Sequence, residues 1–217
     1  MEDSCDSTND IDKRPVVNVF LDSNIWIDYS WRYHISEASS RNGTCVEIIG
    51  EIDHLGENSP YMIVFSPYVI AEISHHFADW FLLKKSIANG FGYREFSKER
   101  RNHRLEESEE DIINTIINDI GTKTSVNALD IENLSKTEIE AILNLRRNNI
   151  DFYDAFHIHI ALKKDCKFFV TKDGELRKRF QEILSNGSIK NDIKIISDKV
   201  FLDIVKTYIK KKGGLNI

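Results

Sequence analysis

Two short apolar runs in this chain end abruptly at an aspartate, and that pattern restricts the fold more than any other feature. Val16-Val17-Asn18-Val19-Phe20-Leu21 stops at Asp22, and Lys167-Phe168-Phe169-Val170-Thr171 leads to Asp173-Gly174. Runs of this length without polar alternation read as strands buried on both faces. A third run, Tyr61-Met62-Ile63-Val64-Phe65, precedes Ser66-Pro67, an N-cap followed by proline at the first helical position. The helix begun there carries Val69, Ile70, Ile73, Phe77, Trp80 and Phe81 at three- and four-residue steps. A short fourth strand is expected over residues 193–196. Helices are expected over 175–184 and 199–209, and over 150–162, where the segment is apolar nearly all round. Strands alternating with helices imply parallel pairing, so the expected fold is α/β, with three α/β/α layers around a central, mainly parallel sheet.

Residues 1–14 are polar and acidic and read as a loose tail, leaving 15–217 as a single domain. Between about 84 and 148 the chain becomes more charged and less apolar, which reads as a helical insertion. Its helices are expected at 112–120 and 135–147, the latter capped by Thr137. No apolar run reaches the ~18 residues of a membrane span, and no signal-like segment opens the chain, so a cytoplasmic location without a membrane partner is the expectation. Cys5, Cys45 and Cys166 are scattered and odd in number, which argues against a disulfide framework or a zinc site. A net charge of −6 gives no global attraction to nucleic acid, so such binding needs local basic patches or metal ions.

In an open parallel sheet the strand C-termini share one edge, where ligand crevices lie. Asp22 and Asp173 belong at that edge. Glu72, in the second turn after its strand, begins near it, and Asp154 sits in the first turn of a helix. Two carboxylates ~4 Å apart repel by about 4 kcal/mol at an effective dielectric near 20, so four acids together call for cations or protons. Oxygen-only donors suit Mg²⁺ or Mn²⁺, which in a paired site promote in-line hydrolysis of a phosphodiester.

At these residues the chain resembles PIN-domain nucleases. Phe20-Leu21-Asp22-Ser23-Asn24-Ile25-Trp26-Ile27-Asp28 is similar to that family's opening motif, and Ser66-Pro67-Tyr68-Val69-Ile70-Ala71-Glu72 to its second. Asp154-Ala155-Phe156-His157-Ile158-His159-Ile160-Ala161 followed by Phe169-Val170-Thr171-Lys172-Asp173 resembles the third and fourth. The likeness covers roughly residues 16–90 and 150–205. It implies that Asp22, Glu72, Asp154 and Asp173 bind Mg²⁺ or Mn²⁺ and cleave RNA. Its toxin members imply an inhibitory antitoxin partner. The stretch between Glu72 and Asp154 is longer than in small toxins, which, with the acidic charge, equally allows a defence effector or a subunit of a larger assembly; a homo-oligomer stays open.

Asp151 stands one helical turn from Asp154 and reads as structural or as a helper ligand, while Asn24 and Thr171 read either as orienting a carboxylate or metal-bound water or as satisfying loop backbone groups. Asp28 reads as structural, and His75, His76, His157 and His159 as core or surface histidines. Of the basic clusters, Arg100, Arg101 and Arg104 are the choice for RNA phosphates. An aspartyl phosphatase is disfavoured because Asp22-Ser23-Asn24 lacks a second acid, and a dinucleotide site because no glycine-rich loop follows a strand. A structure-specific DNA nuclease and a non-catalytic PIN-like scaffold remain as alternatives.

Overall fold

The computed structural model describes residues 16–35, 43–101, 103–123, 126–128, 134–187, 189 and 191–213; the tail expected over residues 1–14 lies outside these. The chain begins with β1 (Val17–Leu21), α1 (Ser23–His34), α2 (Thr44–Leu55), β2 (Tyr61–Phe65) and α3 (Pro67–Ala88). Next come α4 (Tyr93–Glu99), α5 (Glu107–Gly121), β3 (Val126–Ala128), α6 (Lys136–Arg147) and α7 (Phe152–Lys163). It closes with β4 (Phe168–Val170), α8 (Gly174–Ser185), β5 (Lys194–Ile196) and α9 (Asp198–Gly213). No helix among the described residues is long and apolar enough to cross a membrane.

The five strands form one parallel sheet in the order β3-β2-β1-β4-β5. Helices cover both of its faces, giving the three α/β/α layers that alternation of elements predicts. Central β1 has Val19, Phe20 and Leu21 buried in succession, as a strand covered on both faces requires. Its Phe20 stacks on the register partner Phe169 of β4, with ring centroids 5.2 Å apart. The chain steps outward from β1 through β2 to β3, then returns to β4 on the other side of β1. The topological switch point therefore falls between β1 and β4, and the crevice expected there lies at their C-terminal ends.

Residues 84–148 hold the end of α3 and the whole of α4, α5 and α6, but also a strand, β3, which pairs with β2 at the sheet edge. Three residues are too few for strand periodicity to show in sequence. Ile113, Ile116 and Ile120 of α5 and Ile142 and Leu145 of α6 are buried in the common core. The cap of α6 is Ser135 rather than Thr137: the Ser135 hydroxyl accepts from the Glu138 amide, and the Glu138 carboxylate accepts from the Ser135 amide. At α3, Ser66 caps and Pro67 opens the helix as the sequence suggests.

Candidate active site

The register of β1 and β4 ends with Leu21 opposite Val170, which sets the next residues, Asp22 and Thr171, side by side at the switch point. Asp22 caps α1 and is 2% exposed, and both its carboxylate oxygens are engaged. Oδ1 accepts from the Ser23 amide at 2.9 Å and lies 3.2 Å from His157 Nδ1. Oδ2 accepts from Asn24 Nδ2 and from the Thr171 hydroxyl, each at 2.6 Å. Asn24 also donates to Thr171 Oγ1 and accepts from the Lys172 amide, so it ties the β1 and β4 loops together. Lys172 is ion-paired with Asp28 of α1, which ties the β4 loop to that helix as well.

Helix α7 supplies Asp154 and, three residues later on the same face, His157. Asp22, Asp154 and His157 each offer a ligand atom, and these atoms lie within 4.8 Å of one another. Glu72 of α3 approaches from across the crevice, its Oε2 3.7 Å from His157 Nε2. Burial, then the Asp22 charge, push the Asp154 carboxyl up to about 7, despite the opposing pull of His157. Glu72 is raised by burial, against His157 and a Ser23 hydrogen bond that favour its charged form. Burial alone lowers the proton affinity of His157. The hydrogen bond to Asp22 and the charges of Asp22, Glu72 and Asp154 outweigh that and raise it.

These shifts share one sign. Asp154 and His157 both bind a proton more tightly in the folded chain than in the unfolded one. Stability is therefore fully present at low pH and is lost as pH rises through about 7 for Asp154 and above the ordinary histidine range for His157. In EDTA, the melting temperature is expected to fall by several degrees between pH 5 and pH 8. Calorimetry that finds it level or rising would contradict this electrostatic picture.

The site thus brings together Asp22, Glu72 and Asp154, with Asn24 and Thr171 bracing Asp22. Asp173 sits apart at the rim. It is exposed and caps α8, its Oδ1 accepting from the amides of Glu175 and Leu176, while its own amide donates to Thr171 Oγ1. Asp151 is exposed and caps α7 through the Tyr153 amide. His157, expected to be an ordinary core or surface histidine, is fully buried at the centre of the acids. Its i, i+3 spacing from Asp154 on an apolar helix was the available sequence signal.

Other expected features lie elsewhere. Arg100, Arg101 and Arg104 are all exposed; Arg100 is paired with the Asp79 carboxylate and faces His75. His76 accepts from the Trp31 indole at 3.1 Å, and His159 lies 3.8 Å from Glu138. Cys45 and Cys166 are buried free thiols, pushed up to about 12 by desolvation, and are chemically inert there.

The carboxylates fit a hard divalent cation: buried Asp22 and half-buried Asp154 offer oxygens within ligand reach of one another, with Glu72 beside them on the far side of His157. Comparison with known families gives a match to the family model described as PIN domain over residues 19–180. No curated protein matches the sequence.

Proposed function

The chain belongs to the PIN-domain family, and from that premise we propose that it is a metal-dependent endoribonuclease acting through Asp22, Glu72, Asp154 and Asp173. The observation that carries the reading is the convergence of Asp22, Glu72 and Asp154 around buried His157 at the switch point of the sheet. Family membership supports a metal-dependent nuclease; RNA as the polymer is our narrower choice.

Asp22, Asp154 and Glu72 would hold Mg²⁺ or Mn²⁺. When bound, such an ion supplies the charge that activates water and stabilises the leaving oxygen of a phosphodiester. The chain's own contribution is rigidity and electrostatic poise. Four hydrogen-bonding groups fix Asp22 in one orientation, so a ligand arriving there pays little reorganisation. His157, protonated at Nδ1, positions the Asp22 carboxylate and offsets the acids' mutual repulsion. Asp154 and Glu72, whose ionised forms burial disfavours, gain most from a cation.

Purified protein incubated with a labelled structured RNA and a matched single-stranded DNA, in Mn²⁺, Mg²⁺ or EDTA, tests this. Cleavage of the RNA that requires the ion is expected. Cleavage of the DNA alone would favour the DNA-nuclease alternative, and no cleavage of either by folded protein would favour a non-catalytic module. A toxin role adds an inhibitory protein covering the crevice, which would suppress cleavage when added back. The rim position of Asp173 predicts a graded effect. Asparagine caps a helix as well as aspartate does, so Asp173→Asn should keep the wild-type melting temperature and lower cleavage less than Asp22→Asn or Asp154→Asn. Equal loss in all three variants would place Asp173 at the heart of the site instead.

A further inference from the structure

A run of aromatic rings borders the acid site. Tyr68 of α3 meets Phe156 of α7 at 4.6 Å between centroids, Phe156 meets Phe152 at 4.8 Å, and Phe152 meets Tyr153 at 6.0 Å. Tyr68 stands one turn before Glu72, and Tyr153 one turn before His157, so the run shares helix faces with two groups of the acid site. The inner rings serve packing: Phe156 is buried and Tyr68 half-buried. The outer two do not, since Phe152 is 44% and Tyr153 48% exposed. They lie in sequence between Asp151 and Asp154.

Asp151 in turn lines a cleft of about 560 Å³ whose walls include Arg146, Lys178 and Arg179. The two guanidiniums are anchored to consecutive backbone carbonyls of the α6–α7 turn, Arg179 to Asn149 and Arg146 to Ile150, where Asn149 takes the left-handed conformation; Arg179 Nε also donates to Glu175 at 3.0 Å and Arg146 lies 3.8 Å from Asp151, so their remaining N–H groups are the donors on offer. Asp151, Glu175 and Glu182 on the same walls cancel the formal charge. The cleft is therefore no bulk attractor for anions; it offers fixed, directional donors. Exposed aromatic faces next to such donors are the two parts from which single-strand nucleic-acid sites are built.

We propose that the exposed pair Phe152 and Tyr153, whose rings stand edge to face, forms a stacking platform in which one ring stacks on an unpaired nucleobase and the other meets its edge, and that Arg146, Lys178 and Arg179 contact the phosphates beside it. The choice of RNA rests on the nuclease reading above; the platform does not rest on turnover. A duplex keeps its base faces covered, so the platform makes the residues around the scissile bond selective for unpaired nucleotides.

Fluorescence anisotropy in EDTA, which stops turnover, reads this directly. The probes are an adenylate RNA decamer and an abasic ribose-phosphate decamer of equal charge, whose difference isolates base contacts. Wild type is expected to prefer the adenylate decamer by roughly ten-fold or more. Phe152→Ala/Tyr153→Ala should abolish the preference while binding the abasic decamer as before; melting curves confirm that it folds. Tyr153→Phe, which keeps the ring face, should retain the preference. Lys178→Ala should weaken both decamers alike and reduce the salt slope by about one. Equal wild-type affinity for the two decamers, or no measurable affinity for either, overturns the platform. A preference without any metal-dependent cleavage would instead sink the nuclease reading and leave the platform standing.

Discussion

Asp154→Asn is expected to eliminate metal-dependent cleavage and, at the same time, to raise the melting temperature of the metal-free protein. The first effect follows from removing one of the carboxylates that would hold the ion. Loss of an outer partner of a metal site already costs about 10–100-fold, and a ligand should cost no less. The second follows from electrostatics. Burial and the Asp22 charge push the Asp154 carboxyl up to about 7, so at pH 8 its ionised form is a net burden on the fold. Asparagine has the same shape and no charge. The gain should therefore be a few degrees at pH 8 in EDTA and vanish at pH 5, where wild-type Asp154 is already neutral. Saturating Mg²⁺ or Mn²⁺ should reverse the order, because binding energy then stabilises wild type alone. Differential scanning fluorimetry across these four conditions is the check. A variant that melts lower in EDTA at both pH values would mean that Asp154 makes a structural interaction instead.

What the sequence discloses about this site divides along a physical line. Asp22 could be placed at the sheet's C-terminal edge because an uninterrupted apolar run marks a central parallel strand and its end alike. The tight grouping with Asp154 follows once α7 is seen as a helix buried nearly all round. His157 was harder, because its partner Asp22 is 135 residues away and a histidine on an apolar helix carries no sign of what it faces. The basic run around Arg100 shows the converse. Its charge is visible in sequence, but the pairing of that guanidinium with Asp79, 21 residues earlier, is not. Asp173 lies in the loop after β4 as expected, and its capping of α8 matches the preference of aspartate for that position; residue type alone does not separate a cap from a ligand. Strand β3 failed for a simpler reason: its three residues take their place from pairing with β2, not from any periodicity of their own.

Asp22→Asn should also abolish cleavage, but it should lower stability where Asp154→Asn raises it. Both Asp22 oxygens accept hydrogen bonds in a nearly water-free setting, two on each side. An asparagine presents one oxygen and one amide nitrogen. If the nitrogen takes the Oδ2 side it meets Asn24 Nδ2 and the Thr171 hydroxyl. The hydroxyl can rotate to accept, but Asn24 can do so only by flipping and giving up its bond from the Lys172 amide. If the nitrogen takes the Oδ1 side it meets the Ser23 amide, which cannot turn away. Either way one buried polar group loses its partner, at about 1–3 kcal/mol, and a ~2 kcal/mol loss in a domain of this size lowers the melting temperature by about 4–8 °C. Capping of α1 is no compensation, because Asp and Asn cap equally well and the change there is nil. The two variants thus share the loss of function and part in stability. An Asp22→Asn protein melting at or above wild type in EDTA would show that its four hydrogen bonds do not hold the β1 and β4 loops together, and that charge repulsion alone governs the site.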